Sequence, residues 1–348
     1  MNILIDTTPL SNGSAIRGIG RYTAELLRAL INNPASHRIY TPDTVENQGV
    51  DIVHYPFFDL FFPTLPIGKR ARTIVTIHDV IPLLFPKHYP RGIKGTLNFW
   101  KQKFALRSVS HIITDSESSK RDIVDHLHVR SDKISVVYLA ASPDIKKPSQ
   151  GILDSVRKKY SLPRNFALFV GDINYNKNLP FLLNVISKIP KLTLVLVGRA
   201  MNNQAIPEGK AIHHTIAKLG LEKRVLIIDT LGGDSVEELS SIYSLASFYI
   251  QPSLYEGFGL PILEAMQCKT PIVCSRAGSL PEVAGEAAVY FHPMEVDDCR
   301  QAIEKVLRYS DKQLQSMVKK GVEQAARFSW EKTAKETIKV YEKVGSSV

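Results

Sequence analysis

The sequence predicts an α/β protein with two doubly wound parallel sheets, one in each of two domains. Apolar runs of strand length alternate with amphipathic segments of helix length along the chain, and this alternation is typical of parallel sheets with crossover helices. Between residues 141 and 162 it is interrupted by Pro143, Pro148 and Gly151, and it then starts again. The chain of 348 residues is also longer than one hydrophobic core usually organises. We therefore expect two Rossmann-like domains joined by a linker.

The first predicted domain covers residues 1–150. Its short apolar runs indicate strands at residues 2–5, 51–54, 73–78, 111–114 and 134–137. The amphipathic segments between them indicate helices that include residues 20–31, 94–108 and 117–126. Ser116 stands where it would cap the last of these helices.

The second predicted domain covers residues 163–328. Its strands are expected at residues 166–171, 192–198, 225–229, 248–251, 271–274 and 289–291. Its helices are expected to include residues 178–188, 210–219, 236–246 and 261–267. A final helix within residues 329–348 is long enough to pack back against the first domain.

The ligand sites of such domains are expected at one edge of each sheet. Open parallel sheets bind ligands outside the carboxyl ends of their strands. Two sheets that face each other there would share one cleft, which suits an enzyme with two substrates.

The composition narrows the class of protein. A net charge of +10 favours an anionic partner, which could be nucleic acid, a phospholipid surface or a phosphorylated small molecule. Cys268, Cys274 and Cys299 lack the spacing of metal ligands and are interpreted as reduced core thiols. No apolar run approaches the roughly 20 residues of a spanning helix, and the first residues do not resemble a signal peptide. We therefore expect a cytoplasmic protein without a metal site.

One segment is markedly basic. From Lys69 to Arg107 the only acidic residue is Asp79, and the basic residues are Lys69, Arg70, Arg72, Lys87, Arg91, Lys94, Lys101, Lys103 and Arg107. On the helix predicted here, apolar residues lie between the cations, namely Leu97, Phe99, Trp100 and Phe104. This pattern suits peripheral contact with an anionic membrane or a lipid-linked acceptor. Alternatively, the helix is simply solvated and its aromatic residues belong to the core.

The most informative segment, residues 252–264, follows an apolar strand and reads Pro-Ser-Leu-Tyr-Glu-Gly-Phe-Gly-Leu-Pro-Ile-Leu-Glu. Gly257 and Gly259 would let the backbone approach a ligand, and Pro261 suits the first turn of a helix whose start attracts phosphate. Glu256 before the helix and Glu264 one turn inside it would flank that anion site and accept hydrogen bonds from sugar hydroxyls. Alternatively, the glycines form a tight turn and both glutamates are solvated.

Three other segments supply candidate side chains. Lys177 follows the strand at 166–171 and precedes a helix, where a cation could neutralise a departing diphosphate; alternatively it is a surface lysine. His78 ends an apolar strand of the first domain and would point into the cleft, although a lone histidine is often structural. Gly18 and Gly20 precede a helix but lack the third glycine of the dinucleotide fingerprint, so a simple helix-entry loop is the alternative.

Taken together, these residues resemble those of the retaining GT-B glycosyltransferases of family 4, whose signature is two glutamates separated by seven residues. Here these are Glu256 and Glu264, and the resemblance covers nearly the whole chain, most strongly residues 166–291. It implies that Glu256 lies beside the transferred sugar and that Glu264 holds the ribose. It also implies backbone contacts to the sugar and diphosphate from four consecutive residues, Gly257, Phe258, Gly259 and Leu260.

For the other segments, the resemblance implies that Lys177 balances the charge of the leaving diphosphate and that His78 lies near the reacting sugar. Gly18 and Gly20 would face the donor phosphates and the acceptor. The chain departs from the family where an arginine is expected before the lysine, because Asp172 stands there. Arg21 and Arg199 are the candidates to replace that arginine.

The implied activity is transfer of a hexosyl group, with mannosyl favoured, from a GDP- or UDP-linked sugar to a glycan or lipid-linked acceptor, without a metal cofactor. Two other functions remain open. A nucleotide-sugar epimerase could use the same architecture. A basic nucleic-acid-binding protein is supported by charge alone, since no recognition motif is present.

Overall fold

The computed structural model describes residues 1–11, 13, 18–33, 37–45, 49–69, 71–231 and 235–346. The chain forms two compact units, of which the first contains Met1–Ala140 and Phe328–Val348 and the second contains Ala141–Arg327. Each unit has its own parallel sheet with helices between the strands. This is the α/β class that the alternating pattern predicts.

The first unit contains, among its described residues, a parallel sheet of six strands. They are β1 (Asn2–Ile5), β2 (Arg38–Tyr40), β3 (Ile52–Tyr55), β4 (Arg72–Thr76), β5 (His111–Thr114) and β6 (Ile134–Val136). Their spatial order is β2-β1-β3-β4-β5-β6, with Ile3 opposite Ile52 and Val75 opposite Ile112. The order reverses between β1 and β3, so a ligand crevice is expected where these two strands end.

The helices of the first unit are α1 (Thr8–Ser11), α2 (Gly18–Ile31), α3 (Ile81–Leu84), α4 (Gly92–Leu106), α5 (Glu117–Asp122) and α14 (Trp330–Ser346). The Ser116 hydroxyl accepts a hydrogen bond from the Ser119 amide, which confirms the predicted cap of α5. A π-helical turn, Ile123–Leu127, continues α5.

A buried polar network fixes α14 in the first unit. Nδ1 of His54 lies 2.7 Å from the Tyr341 hydroxyl, and its Nε2 lies 2.8 Å from the Thr76 hydroxyl. The Tyr22 hydroxyl on α2 lies 3.1 Å from the same Thr76 oxygen. Burial lowers the pKa of His54 to about 3, so the ring is neutral and can accept one of these hydrogen bonds. The last helix therefore belongs to the first unit, although nearly 190 residues of the second unit precede it in sequence.

The second unit also contains six parallel strands within its described residues. They are β7 (Phe166–Val170), β8 (Thr193–Val197), β9 (Val225–Ile228), β10 (Phe248–Gln251), β11 (Ile272–Ser275) and β12 (Ala288–Phe291). Their spatial order is β12-β11-β10-β7-β8-β9, and Leu168 on β7 lies opposite Tyr249 on β10. The order reverses between β7 and β10, which is the doubly wound arrangement of dinucleotide-binding domains.

The helices of the second unit surround this sheet in the usual crossover pattern. They are α6 (Gln150–Lys159), α7 (Leu179–Ser187), α8 (Pro207–Lys218), α9 (Val236–Leu245), α10 (Leu260–Gln267), α11 (Leu280–Ala284), α12 (Val296–Leu307) and α13 (Asp311–Ala325). Cys268, Cys274 and Cys299 are buried free thiols, as the sequence predicts. Among the described residues, no helix combines the length and apolar composition of a membrane-spanning segment.

Several elements were not expected from the sequence, namely the short helices α1 and α3, helix α6 and strand β2. The segment assigned to a linker contains α6, which buries Leu153 and Val156 and packs against α9 of the second unit. The units consequently divide after Ala140, at the start of the predicted linker, and residues 141–150 belong to the second unit rather than the first. Strand β2 was not predicted, because it has only three residues and lies at the sheet edge, where no apolar run is needed.

Candidate active site

In the second unit, two predicted site residues lie at the point where the strand order reverses. Lys177 lies in the segment after β7, at the end of a short 3₁₀ turn that precedes α7. Glu256 lies in the segment after β10, which pairs directly with β7. Since both segments leave the carboxyl edge of the sheet, the fold brings together two residues 79 positions apart. This edge is where doubly wound sheets bind ligands.

The Glu256 carboxylate is held by several donors. Nζ of Lys177 donates to both of its oxygens, at 2.8 and 2.9 Å, and both side chains are largely buried. Its Oε1 also accepts from Nε2 of Gln251 at 2.7 Å and from Oγ of Ser253 at 2.5 Å. Gln251 in turn accepts a hydrogen bond from the Tyr249 hydroxyl. The carboxylate and the ammonium group are therefore fixed in one geometry.

Hydrogen bonds to backbone carbonyls join the loop that carries Lys177 to the loop that carries Glu256. The Leu254 amide donates to the Asn176 carbonyl at 2.7 Å, and Nδ2 of Asn176 donates to the Tyr255 carbonyl at 3.0 Å. Nδ2 of Asn178 donates to the carbonyl of Pro252. Lys177 is thus flanked by two asparagines that tie its loop to the loop of Glu256.

A third segment, after β11, supports Glu256 from another side. Oγ of Ser279 donates to the carbonyls of Glu256 and Phe258, at 3.0 and 2.7 Å. Gly278 has a φ of 54°, and a Cβ there would lie 2.6 Å from the Glu256 carbonyl oxygen and 2.8 Å from its amide nitrogen. Only glycine fits this position without displacing the Glu256 backbone.

Helix α10 begins directly beyond these residues. Gly259 precedes it with a φ of 102°, and Pro261 occupies its first turn. The start of a helix is the positive end of its dipole. In α10, Pro261 has no amide hydrogen and the Ile262 amide donates to the Gly259 carbonyl at 3.0 Å. Glu264 is buried one turn inside α10, where its Oε2 accepts from the Tyr243 hydroxyl at 2.8 Å. Burial and the nearby Glu264 carboxylate raise the pKa of Tyr243 well above its usual value, so this hydroxyl stays a donor.

The residues named as substitutes for the missing arginine lie in different units. Asp172 is exposed two residues after β7, and Arg199 is half-buried two residues after β8, the neighbouring strand. Arg199 therefore leaves the same sheet edge as Lys177. Arg21 is an exposed residue of α2 in the first unit.

In the first unit, His78 lies just beyond β4 and is fixed by its neighbours. Its Nδ1 lies 2.7 Å from Oδ2 of Asp115, which follows the adjacent strand β5, and its Nε2 lies 3.2 Å from the Pro56 carbonyl oxygen. The Tyr22 ring meets it edge-on, with 4.7 Å between centroids. Both ring nitrogens therefore face acceptors, which suits an imidazole that carries two protons.

The surroundings of His78 and Asp115 shift the pKa values of both side chains. Burial alone would lower the pKa of His78, but the Asp115 carboxylate and its hydrogen bond raise it above the ordinary value. Burial raises the pKa of Asp115, whose Oδ1 has no hydrogen-bond partner among the described residues. Because the pKa of His78 rises on folding, its protonation stabilises the unit at low pH, and this contribution is lost as the pH rises through the folded pKa.

Replacing Asp115 with asparagine is expected to lower the pKa of His78. Without the carboxylate, the largest influence that raises the pKa of His78 is lost while burial still lowers it, so the pKa falls. Titration of the His78 ring by NMR, in the wild type and in Asp115→Asn, measures the change. Equal pKa values in the two proteins would show that Asp115 does not control the charge of His78.

The glycine pair near the amino terminus lies at the start of α2. Gly18 is the first residue of the helix and is exposed, whereas Gly20 is buried. A Cβ at Gly18 would meet no atom within 4 Å. In sequence, α2 follows β1 and α1, and β1 lies next to the reversal of strand order in this unit. Arg17, part of the same motif, lies outside the described residues.

Four residues of these sites were not identified from the sequence, namely Gln251, Ser253, Ser279 and Asp115. For two of them, their position at the end of a buried strand could have indicated a role. Gln251 ends a strand whose four residues are all buried, so its amide needs buried partners. Asp115 directly follows the fully buried β5 and is itself buried. No pattern in the sequence distinguishes Ser279, because its two acceptors are backbone carbonyls of a distant segment.

Known proteins resemble this chain along most of its length. Residues 154–324 match the family described as Glycosyl transferases group 1, and residues 43–144 match Glycosyltransferase Family 4. The serotype-specific mannosyltransferase WbdA of Escherichia coli is 28% identical over 403 residues, which cover 96% of this chain but 47% of WbdA. The chain thus spans about half the length of that relative.

Two further proteins are similar to this chain. The O-antigen chain mannosyltransferase B of Escherichia coli is 31% identical over 276 residues, covering 78% of this chain and 71% of the relative. HepE of Anabaena, solved in complex with UDP-glucose, superposes with a TM-score of 0.73 at 18% identity, over 99% of this chain and 100% of HepE. That likeness shows the fold, which is GT-B. The chain belongs to the group 1 glycosyltransferases of family 4.

Proposed function

We propose that this protein transfers a hexosyl group from a nucleotide-diphosphate sugar to an acceptor hydroxyl with retention of the anomeric configuration. The observation that carries the proposal is the Lys177–Glu256 pair at the strand-order reversal of the second unit, next to the start of α10. Such an edge offers a cation and the positive end of a helix dipole to a diphosphate. The buried carboxylates of Glu256 and Glu264 can accept hydrogen bonds from hydroxyls of the sugar and ribose.

In the proposed reaction, the acceptor oxygen forms a bond to the anomeric carbon as the bond from that carbon to the diphosphate oxygen breaks. The acceptor attacks from the face that the diphosphate leaves, and a donor phosphate oxygen takes its proton. Lys177 then exchanges part of its interaction with Glu256 for the leaving diphosphate, whose charge it stabilises. Glu256 is proposed to position the sugar, and no covalent intermediate is formed.

The remaining predicted residues keep their proposed roles. Backbone groups of Gly257 through Leu260 contact the sugar and diphosphate, and Glu264 holds the ribose. His78, Gly18 and Gly20 of the first unit act near the reacting sugar, the donor phosphates and the acceptor. We include no metal cofactor, since Lys177 and the dipole of α10 supply positive charge. A cytoplasmic location is part of the proposal because the three cysteines are buried free thiols.

The donor is proposed to be a GDP- or UDP-linked hexose, with mannose as the first choice. The names of two relatives support mannose, and the complex of HepE with UDP-glucose supports a nucleotide sugar. A glycan or lipid-linked acceptor is proposed because one relative is named for the O-antigen chain.

The test is transfer from GDP-mannose and UDP-glucose to a panel of saccharide and lipid-linked acceptors, with the product linkage read by NMR. We expect acceptor-dependent release of nucleoside diphosphate and an α-linkage from an α-linked donor. A β-linked product would contradict retention. An epimerised nucleotide sugar formed without acceptor would instead support the epimerase alternative.

A further inference from the structure

The outer face of α4 carries a stripe of apolar side chains. Ile93, Leu97, Trp100 and Phe104 are 84%, 58%, 60% and 54% exposed, respectively. Their spacing of four, three and four residues places them on one side of the helix. We call these four residues the α4 stripe. Large apolar side chains that are more than half exposed are unusual when they form a contiguous row on a folded protein.

The stripe is separate from the face that α4 contributes to the core. The buried residues of this helix are Gly95, Phe99, Gln102, Ala105 and Leu106. At about 100° per residue, their mean direction lies about 180° from that of the α4 stripe. The helix therefore has two apolar faces on opposite sides. Phe99 belongs to the core, as the simpler interpretation of the sequence expects, but Leu97, Trp100 and Phe104 do not.

Cations border the α4 stripe on both sides. Lys94 and Lys101 project about 80–100° to one side of Ile93, and Lys103 and Arg107 project about 40–80° to the other. Nζ of Lys103 lies 5.8 Å from the centroid of the Trp100 ring, and the Arg107 guanidinium lies 5.7 Å from that of Phe104. The helix contains no acidic residue.

The loop between β3 and β4 is attached to the other side of α4. Nδ2 of Asn98 donates to the Phe61 carbonyl, and the Gln102 side chain bonds to the backbone of Leu65, so the loop is fixed to the helix. This loop exposes Phe62 and Ile67. Lys69 points elsewhere, because its ammonium donates to the carbonyls of Pro66 and Ala105, and Arg70 lies outside the described residues.

We propose that the α4 stripe is a membrane-docking surface that inserts between the headgroups of an anionic phospholipid bilayer, with the flanking cations at the phosphate level. Apolar and aromatic side chains that lie along a helix parallel to the membrane enter the acyl boundary, and lysine and arginine attract anionic lipid. The proposal concerns binding alone and holds whether or not the proposed transfer reaction is correct.

Two other occupants fit the surface less well. A symmetric dimer through α4 would place the same cations of two copies against each other, without an acidic residue on the helix to offset them. Nucleic acid would meet the cations, but in the row of exposed aliphatic and aromatic side chains between them the indole N–H of Trp100 is the one group that could bond to a phosphate. An anionic bilayer matches both the charge and the apolar row.

Vesicle flotation of the full chain tests the proposal. Vesicles of phosphatidylcholine with 40% phosphatidylglycerol are compared with pure phosphatidylcholine at about 50 mM salt. We expect binding to the anionic vesicles that weakens as salt rises, and weak binding to the neutral ones. The variant Leu97→Ser/Trp100→Ser is expected to bind at least about tenfold less tightly. Lys94→Glu/Lys101→Glu should lose at least about 25-fold, since each of the two lysines contributes roughly fivefold.

Matched control variants separate this surface from general changes in polarity and charge. Ile31→Ser/Met294→Ser also removes two exposed apolar side chains, and Lys191→Glu/Lys312→Glu reverses the same number of charges elsewhere. Both controls should bind more tightly than the corresponding α4 variants. If an α4 variant and its control bind equally well, the α4 surface is not the docking site.

Depth of insertion is measured with brominated lipids in a Trp330→Phe background, where Trp100 is the remaining tryptophan. We expect the fluorescence of Trp100 to be quenched by bromines near the headgroup end of the acyl chain. Absence of both quenching and flotation at low salt would overturn the proposal. A dimer in analytical ultracentrifugation that Leu97→Ser/Trp100→Ser dissociates, without vesicle binding by the wild type, would assign the stripe to self-association instead.

Discussion

Replacing Lys177 with alanine is expected to lower the transfer rate by about 10²–10³-fold, and replacing Glu256 with glutamine to have an effect of similar size. Removing one preorganised charged group that acts on the developing charge typically has this effect on kcat. In Lys177→Ala the leaving diphosphate loses its cation. In Glu256→Gln the carboxylate that orients both the ammonium group and the proposed sugar is neutralised.

This prediction requires that both variants remain folded. Circular dichroism and thermal unfolding should show little change in secondary structure, since the sheet does not depend on the pair. Lys191→Ala and Glu222→Gln, which alter exposed residues of the same unit, serve as controls and should retain normal turnover. Wild-type turnover in a folded Lys177→Ala protein would remove Lys177 from the mechanism, and the same result for Glu256→Gln would remove Glu256.

Gly278→Ala is expected to reduce transfer by about 10²-fold, although residue 278 has no proposed contact with substrate. The added Cβ would lie 2.6 Å from the Glu256 carbonyl oxygen, so the Glu256 loop must shift. A displacement of about 1 Å at a reacting group is sufficient for a loss of this size. The positive φ of 54° adds about 1–2 kcal/mol of strain.

Gly220→Ala provides the matched control. Gly220 lies in the same unit with a φ of 63°, but a Cβ there would meet no atom within 4 Å. Both variants therefore acquire the same backbone strain, and only Gly278→Ala displaces Glu256. Thermal unfolding should show the strain in both variants and a larger stability loss in Gly278→Ala, whose Cβ also overlaps Glu256. Steady-state kinetics should show a loss of kcat in Gly278→Ala alone. Equal activity in the two variants would show that the Glu256 loop tolerates the shift.

Much of the fold follows from apolar periodicity, because a parallel strand buried on both faces is a short continuous apolar run. β1, β5 and β10 have the predicted bounds, and most other strands differ by one or two residues. Helix α6 was not predicted because Pro148 and Gly151 are residues that usually interrupt helices. Both stand at the start of α6, where such residues are tolerated. Its stability comes from packing against α9, which sequence periodicity does not reveal.

Part of the candidate active site was predicted because some of its residues are close together in the sequence. Glu256, the glycines and Pro261 form one local pattern around the start of a helix, so their shared location is visible in the sequence. Two partners of the Glu256 carboxylate, Gln251 and Ser253, are local, but the others are not. Lys177 and Ser279 reach Glu256 only because β7, β10 and β11 are adjacent in the sheet, and strand order cannot be read from apolar runs. The sequence therefore identified Glu256 and Lys177 as separate candidates but not their contact.

The most direct measurement is a crystal structure of the protein with a non-hydrolysable analogue of the nucleotide-sugar donor. We predict that the diphosphate lies against Nζ of Lys177 and the start of α10, with Glu256 beside the sugar and Glu264 facing the ribose. A nucleotide bound elsewhere on the second unit, or one from which both glutamates face away, would contradict this prediction.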